Sequence, residues 1–404
     1  MLYILALAAI LLGLVMNKSN IVFAVMMVLI WLMLGWGAGN ADYAIHLGRF
    51  NYYESSAVYT EVVYTLLMQW ANNAGLTYQQ FLPLVMLVYV VIIGFIVKKV
   101  SKAPAFVLAL YLIFPACMEA VQVRYTLASA FVLLGFYFLF KEEDWRGELM
   151  FVALVVLSAF MHVSTIVFIP FMLVKRLNMQ RVILCMTTIS AIISLSQVSF
   201  VIDLIGRLPG MAEKIGRVLA SASNRYTYIN VLKTTYRCLV FFVLFMFLSY
   251  LLKRWVKKYQ LKIDISYIDV MQKINVISLI IIPLLFYSVD FYRIQQTLSL
   301  LNYCALSYYV VVYPHVSNLT QGRLVFSKRR EKYVFVCVLM AILNLYYLVL
   351  NSSNFLTVFK PFFENNLFFG GGYVRIKEKS KTRFQSLRLN FYTSTACATC
   401  EGRG

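Results

Sequence analysis

The most regular feature of the sequence is a succession of apolar runs, each close to the ~20 residues that cross the hydrocarbon core of a membrane. A β-barrel is not expected, because its strands alternate apolar and polar residues instead of forming long apolar runs. The pattern predicts an all-α polytopic integral membrane protein. The predicted spans are 1–16, 20–36, 81–97, 103–117, 121–140, 147–161, 163–175, 181–204, 235–252, 268–288, 295–313 and 333–350.

Two of these spans are short and end near a proline. Segment 103–117 ends near Pro115, and segment 163–175 contains Pro170. Non-helical backbone is tolerated at membrane depth where protein or a water-filled cavity surrounds it. We therefore expect either segment to be a broken or re-entrant helix, and about 10–12 transmembrane helices in total.

Polar stretches divide the chain further. Segment 37–80 is the longest before the tail and contains Val62, Leu66 and Trp70 at helical spacing, which predicts an amphipathic helix at the membrane surface. A second polar segment, 206–234, is basic. Residues 1–355 are predicted to form one transmembrane domain. Residues 366–404 are predicted to form a basic, disordered tail.

The composition agrees with a membrane protein and explains the charge. The chain is 61% hydrophobic and 13% charged, with a formal net charge of +20. Its basic residues form short clusters between apolar runs, as expected if basic loops stay on the cytoplasmic side. Orientation in the membrane explains the charge better than nucleic-acid binding, so no nucleic-acid partner is expected. The clusters are 98–102, 175–176, 253–258 and 328–330.

Arg124 and His162 are polar groups inside apolar runs. A charge within the hydrocarbon region is costly, so it normally faces a polar cavity or a partner and indicates a functional site. The predicted topology places both residues near the outer ends of their helices. It brings further arginines, carboxylates and a tyrosine to the same level, namely Asp42, Tyr43, Glu61, Arg237, Asp290 and Arg293.

Each of these residues also has an ordinary structural explanation. Arg124 and Arg293 could extend to lipid headgroups. His162 could pack against a backbone carbonyl, Asp42 could cap a helix, and Glu61 could face solvent. The coincidence of several such groups at one depth favours a site.

Four short motifs, in this order along the chain, resemble the EpsG-like polysaccharide polymerases, which are relatives of the Wzy polymerases. They are Asp42-Tyr43, Glu61-x-x-Tyr64, Gln122-x-Arg124-x-x-Leu-Ala128 and His162-x-Ser164. The stretch 287–293 is similar as well, and the resemblance covers roughly 1–350. The sequence departs from the family pattern at 62–63, where two valines replace the expected Pro-Gly, and in the one-residue spacing within the third motif.

The resemblance implies a membrane glycosyltransferase that polymerises undecaprenyl-pyrophosphate-linked oligosaccharide repeat units at the outer leaflet of the bacterial cytoplasmic membrane. It implies partners as well: the lipid bilayer, a chain-length regulator and a flippase. No metal motif of the Asp-x-Asp type is present, so a metal-independent reaction without a cofactor is expected. The product would be a capsule, an exopolysaccharide or O-antigen.

The residues fit this chemistry in separate roles. Arginine binds phosphate oxygens bidentately, and a neutral imidazole or a carboxylate can accept the proton of a sugar hydroxyl. His162 is the favoured base. The candidates for pyrophosphate are Arg124, Arg293 and Arg237; the candidate bases are His162, Asp42 and Glu61; the further substrate-binding candidates are Tyr43, Tyr64, Gln122 and Asp290.

Other classes of membrane protein remain open at this point. A flippase or transporter for lipid-linked oligosaccharides also needs cationic groups in a cavity, but it spreads them through the depth of the membrane. An acyltransferase or an O-antigen ligase is a third class, and a ligase usually carries its large outer loop late in the chain. Here the large outer segment is early.

Overall fold

A computed structural model describes residues 2–52, 61–142, 144–195, 225–285, 288–319, 323–350 and 353–369. Within these residues the regular structure is helical, apart from one isolated antiparallel β-bridge between Gly37 and Asn366. The predicted segment 206–234 therefore lies mostly outside the described residues, as does the tail beyond 369.

The first half of the chain forms nine α-helices in the described residues and one 3₁₀ helix, Val163–Val174. The α-helices are α1 (Leu2–Val15), α2 (Asn20–Gly35), α3 (Tyr43–Asn51), α4 (Val62–Asn73), α5 (Tyr78–Val100), α6 (Pro104–Ile113), α7 (Ala116–Glu119), α8 (Val123–Lys141) and α9 (Trp145–Ala159).

The second half continues with longer and more interrupted helices. They are α10 (Met179–Leu195), α11 (Arg225–Lys258), α12 (Ser266–Ser278), α13 (Ile281–Leu285), α14 (Arg293–Leu306), α15 (Tyr309–Leu319), α16 (Arg323–Leu345) and α17 (Lys360–Glu364). A 3₁₀ turn, Val289–Tyr292, precedes α14, and two π-helical segments, Tyr346–Leu350 and Phe355–Phe359, follow α16.

Among the described residues, five helical stretches are long and apolar enough to cross a membrane: Tyr78–Val100, Val123–Lys141, Ile229–Lys258, Ser266–Leu285 and Lys328–Leu350. Shorter apolar helices accompany them, among them α1, α2 and α6. The predicted all-α polytopic membrane protein is thus confirmed. The total number of spans stays a prediction.

The two proline-containing segments are irregular, as predicted. Helix α6 ends at Ile113, and the short α7 follows Pro115. Residues 163–174, with Pro170 inside, form a 3₁₀ helix instead of an α-helix. Proline lacks an N–H and its ring clashes with the preceding turn, so it interrupts a regular α-helix.

Several predicted boundaries are wrong in the same direction. The predicted span 235–252 is part of α11, whose described apolar stretch runs from Ile229 to Lys258. Helix α16 starts at Arg323, before the predicted span 333–350, and includes the basic cluster 328–330. Lysine and arginine are good helix formers, so basic clusters predicted as loops continue the helices. As a result Arg237 lies about three turns after Arg225, the first residue of α11, and not at the end of the helix.

Helices α5, α8 and α14 form the centre of the protein. Helix α8 packs against α5 and α9, and α14 packs against α6, α8, α11 and α12. Every residue of α14 from Ile294 to Leu306 is buried. Large aromatic side chains fill the core, including Tyr89, Tyr111 and Phe136.

The basic clusters and the candidate site lie at opposite ends of these helices. Helix α8 begins beside Arg124 and ends at Lys141. At the far end of α14, the Ser307 hydroxyl accepts a hydrogen bond from the Lys102 N–H (2.9 Å), and Lys253 pairs with Asp269. Helix α8 has 19 residues, so about 28 Å separates the two ends.

The early polar segment contains two helices, α3 and α4, separated by residues outside the described part. Val62, Leu66 and Trp70 project from one face of α4 and are 44%, 55% and 60% exposed. The opposite face, with Tyr64 and Met68, is buried against the protein. This two-sided pattern is the one expected of an amphipathic helix whose apolar stripe contacts lipid.

Candidate functional site

One carboxylate holds two arginines where α4 meets α8. Glu61, only 6% exposed, forms an ion pair with Arg124 at the start of α8. Arg49 of α3 lies 3.7 Å from the same Glu61 oxygen. Glu61 is therefore not a solvent-facing residue, and Arg124 does not simply extend to headgroups. The three side chains together leave one positive charge.

Asp42 faces this group. It precedes α3 in the N-cap position but makes no side-chain capping bond, so helix capping does not explain it. Burial raises the pKa of the Asp42 carboxyl above its usual range, while nearby Arg293, Arg124 and Arg49 oppose the shift and Asp290 adds to it. A carboxylate with a raised pKa is a better proton acceptor than an ordinary aspartate.

Helix α3 carries a second polar residue on the same face. His46 follows Asp42 by four residues, and Arg49 follows His46 by three, a spacing that places the three on one side of a helix. The buried His46 ring donates through Nε2 to the Val121 carbonyl (3.2 Å). Burial and the adjacent Arg124 lower the pKa of His46 to about 3. The neutral ring thus ties α3 to the turn before α8.

Tyr125 links Arg293 to His162. Its hydroxyl donates to the Arg293 carbonyl (2.7 Å), and the Arg293 guanidinium lies over its ring at 5.6 Å. The His162 ring contacts the same tyrosine edge-on, with centroids 5.4 Å apart. Ser164 Oγ lies 2.8 Å from His162 Nδ1. The His-x-Ser motif therefore forms a local pair that packs against the residue supporting Arg293.

A neighbouring group surrounds Tyr292. The Gln122 amide donates to the Tyr292 hydroxyl, and the Arg237 guanidinium lies 5.2 Å from the centre of the Tyr292 ring. Arg237 is only 2% exposed. Next along α14, Gln295 donates to the Cys238 carbonyl (3.1 Å). Helices α8, α11 and α14 thus meet around one buried cation.

Several polar atoms in these groups lack a partner among the described residues. They are buried nitrogens of all three arginines and amide oxygens of two glutamines: Arg124 Nε, Arg237 Nε and Nη1, Arg293 Nε, Gln122 Oε1 and Gln295 Oε1. An unsatisfied buried charged donor costs about 1–3 kcal/mol or more. A polar ligand or ordered water that enters the site would satisfy these atoms.

Of the remaining predicted residues, two tyrosines pack in the core and one aspartate lies at the site. Tyr43 is 5% exposed and its hydroxyl accepts from Gln79 (2.8 Å), while Tyr64 is 2% exposed. The ring of neither is open for stacking on a sugar in this structure. Asp290 is exposed and lies 3.2 Å from Arg293.

Arg49, His46 and Tyr125 were not among the sequence candidates, although they complete the site. The i, i+4, i+7 spacing of Asp42, His46 and Arg49 was the available signal for the first two. Tyr125 gave none, because a tyrosine in an apolar helix is most often a packing residue.

The family model described as "EpsG family" matches residues 19–363. No match was found among curated proteins or among solved structures. The matched range includes every candidate site residue.

Proposed function

The chain belongs to the EpsG family, which gives it a role of the polysaccharide-polymerase type, and we propose that it is a membrane glycosyltransferase. In this proposal it joins oligosaccharide repeat units carried on undecaprenyl pyrophosphate. The observation that supports the proposal best is the group of buried, incompletely paired arginines next to a carboxylate with a raised pKa. The anionic leaving group needs the arginines, and the acceptor hydroxyl needs the carboxylate to take its proton.

The arginines suit a pyrophosphate. Guanidinium N–H groups bind phosphate oxygens bidentately, and they are worth more where water is excluded. Arg124 is already neutralised by Glu61, whereas Arg237 has no carboxylate within ion-pair distance among the described residues. We assign Arg237 and Arg293 to the departing pyrophosphate. Arg124, with Glu61, shapes the wall that faces Asp42.

Asp42 is the group that we assign to the acceptor. The acceptor hydroxyl attacks the anomeric carbon of the donor sugar, the bond from that carbon to the pyrophosphate oxygen breaks, and the hydroxyl proton passes to Asp42. The lipid pyrophosphate leaves with the bonding electrons. His162, the base favoured from the sequence, contacts Tyr125 beneath Arg293, so we assign it to positioning Arg293.

Action at the outer leaflet is supported by the distribution of basic residues. Lys141 and the 253–258 cluster lie at the end of the helices opposite to the site. Basic ends of transmembrane helices remain cytoplasmic. The site would then face outward, where the repeat units become available after a flippase has moved them.

A transporter for the same lipid-linked units is the second candidate, because buried amides continue away from the site. Asn275 and Asn302 exchange side-chain hydrogen bonds of 2.7 and 3.0 Å between α12 and α14. The Asn275–Asn302 pair is uncharged, whereas the charged residues of the candidate site lie together at one end of these helices. That distribution favours the enzyme.

The test is complementation of a deletion strain with Asp42→Asn, Arg237→Gln and His162→Ala. We expect the first two to lose polymer and to accumulate single repeat units outside, and the third to keep short polymer. Matched controls are the exposed Asp264→Asn and Arg146→Gln, which should give full-length polymer. Normal polymer from both Asp42→Asn and Arg237→Gln would refute the site. Repeat units trapped inside the cell would indicate the transporter.

A further inference from the structure

The segment that follows the last long helix folds back onto the loop leading to Asp42. We call residues 355–369 the C-terminal segment and residues 36–42 the Asp42 loop. The Ala38 N–H donates to the Asn365 carbonyl (3.0 Å), and the Ala41 N–H donates to the Thr357 carbonyl (2.9 Å). The Leu367 N–H donates in return to the Trp36 carbonyl (2.9 Å). The loop thus depends on residues more than 300 positions away for its backbone hydrogen bonds.

Asn366 is the centre of this contact. It is 1% exposed, and its side-chain amide donates to the Leu32 carbonyl at 2.9 Å. Its side-chain oxygen accepts from the Phe368 N–H (3.1 Å). Leu32 belongs to the last turn of α2, whose carbonyls have no partner within the helix. Asn366 therefore fixes the point at which the chain leaves α2 and enters the Asp42 loop.

The other side of the loop is fixed to the site. The Asn40 amide donates to the Ala120 carbonyl (3.1 Å), and its side-chain oxygen accepts from the Asp42 N–H (3.2 Å). Ala120 lies directly before the Gln122–Arg124 motif. The loop is consequently held between the C-terminal segment and the turn that begins α8, with Asp42 at its end.

We propose that Asn366 is a positioning residue, which holds the Asp42 loop so that the Asp42 carboxylate reaches the acceptor hydroxyl. This rests on the proposed role of Asp42. The C-terminal segment thereby belongs to the catalytic unit, although it contributes no group to the reaction. A misplacement of about 1 Å can cost about 100-fold in rate.

Kinetics of Asn366→Ala provide the first test. The matched control is the exposed Thr357→Ala of the same segment, because Thr357 holds the loop through its backbone carbonyl and its hydroxyl bonds to Ser353. With purified enzyme and lipid-linked repeat units, we expect kcat of Asn366→Ala to fall about tenfold or more, with little change in KM. The Asp42 carboxyl should gain water, so the acidic limb of the pH profile should shift to lower pH. Arg293, Arg124, Arg49 and Asp290 are the charged groups facing it.

Labelling of the loop provides a second readout that does not depend on catalysis. Ala38 is 1% exposed, so an Ala38→Cys variant should react slowly with a water-soluble maleimide, above the background of the native cysteines. Adding Asn366→Ala should raise that rate several-fold, and adding Thr357→Ala should not. Two truncations complete the design. A chain ending at Phe369 should keep activity, and one ending at Asn354 should lose it.

The outcomes separate the two proposals. If Asn366→Ala keeps the parent's kcat, pH profile and labelling rate, Asn366 does not position the loop. If its kcat falls while the pH profile and labelling rate stay unchanged, the loop has not moved, the loss of activity has another cause, and the proposal is refuted. If Asp42→Asn itself keeps full activity, the proposed role of Asp42 fails, and the positioning role fails with it even if the loop opens.

Discussion

At the scale of single residues, the site follows from the cost of burying charge. A buried cation needs a partner, and removing that partner costs about 3–5 kcal/mol. Arg124 meets this requirement through Glu61, with which Arg49 also pairs. Arg237 does not meet it within the described residues, although it is the most buried of these arginines. This difference is the reason for assigning Arg237 to a ligand and Arg124 to the architecture of the site.

The sequence indicated candidate residues for the site but not how they pair. Arg124 and His162 were recognisable because polar groups are rare in apolar runs. The pairing of Arg124 with Glu61 crosses 63 positions of the chain and has no local pattern. Arg237 was expected near a helix end because the predicted span began at residue 235. The structure begins this helix at Arg225 instead.

The charges around Asp42 predict that two substitutions shift the pH dependence of activity in opposite directions. Its pKa is raised by burial and by Asp290 and lowered by Arg293, Arg124 and Arg49. As a base it acts only when ionised, so activity should fall as the pH drops through this pKa. Asp290→Asn removes a negative charge and should shift the acidic limb to lower pH. Arg49→Gln removes a positive charge and should shift it to higher pH.

The measurement for this pair is kcat/KM against pH, which reports on the free enzyme. The exposed Asp264→Asn serves as the control and should leave the limb in place. Equal shifts in the same direction for Asp290→Asn and Arg49→Gln would contradict the assignment of the limb to Asp42.

At the scale of elements, apolar runs predicted where helices occur but not where they break. Pro115 and Pro170 predicted two of the helix breaks from the sequence. The interruptions between α12 and α13 and between α14 and α15 were not predicted, although Pro283 and Pro314 lie nearby. A proline in an apolar run interrupts the helix only if neighbouring helices satisfy the freed carbonyls. That condition is tertiary and cannot be read from one segment.

The Asn275–Asn302 pair gives a prediction about how α12 and α14 are held together. Asn275→Leu leaves the buried Asn302 amide with fewer partners, so we expect a lower Tm in detergent. Hydrogen bonds between membrane helices are worth about 0.6–1.7 kcal/mol. The double variant Asn275→Leu/Asn302→Leu should recover part of the loss, because no polar group of the pair is then left unsatisfied.

Thermal unfolding followed by size-exclusion chromatography measures this effect. The exposed Asn73 of α4 provides the control, since Asn73→Leu removes no buried hydrogen bond. If the double variant is less stable than either single variant, the two amides contribute more than their mutual bonds and the interpretation is wrong.

At the scale of the whole molecule, the distribution of charged residues bears on which side of the membrane the site faces. The carboxylates and arginines of the site gather at the start of α8 and α14, and basic clusters gather at the opposite ends. Twelve apolar runs predicted this arrangement, because each helix reverses the direction of the chain. The contact of the C-terminal segment with the Asp42 loop could not be predicted in this way, since it joins the two ends of the sequence.

The orientation can be tested directly with single cysteines at the two ends. Asn73 at the end of α4 and Lys257 at the end of α11 are both exposed. In intact cells, a membrane-impermeant maleimide should label Asn73→Cys, while Lys257→Cys should react only after permeabilisation. The parent chain measures the background from its own cysteines. The basic ends of the helices stay on the cytoplasmic side because moving several lysines and arginines across the membrane is unfavourable. If intact cells label Lys257→Cys but not Asn73→Cys, the site faces the cytoplasm. Polymerisation at the outer leaflet would then be refuted.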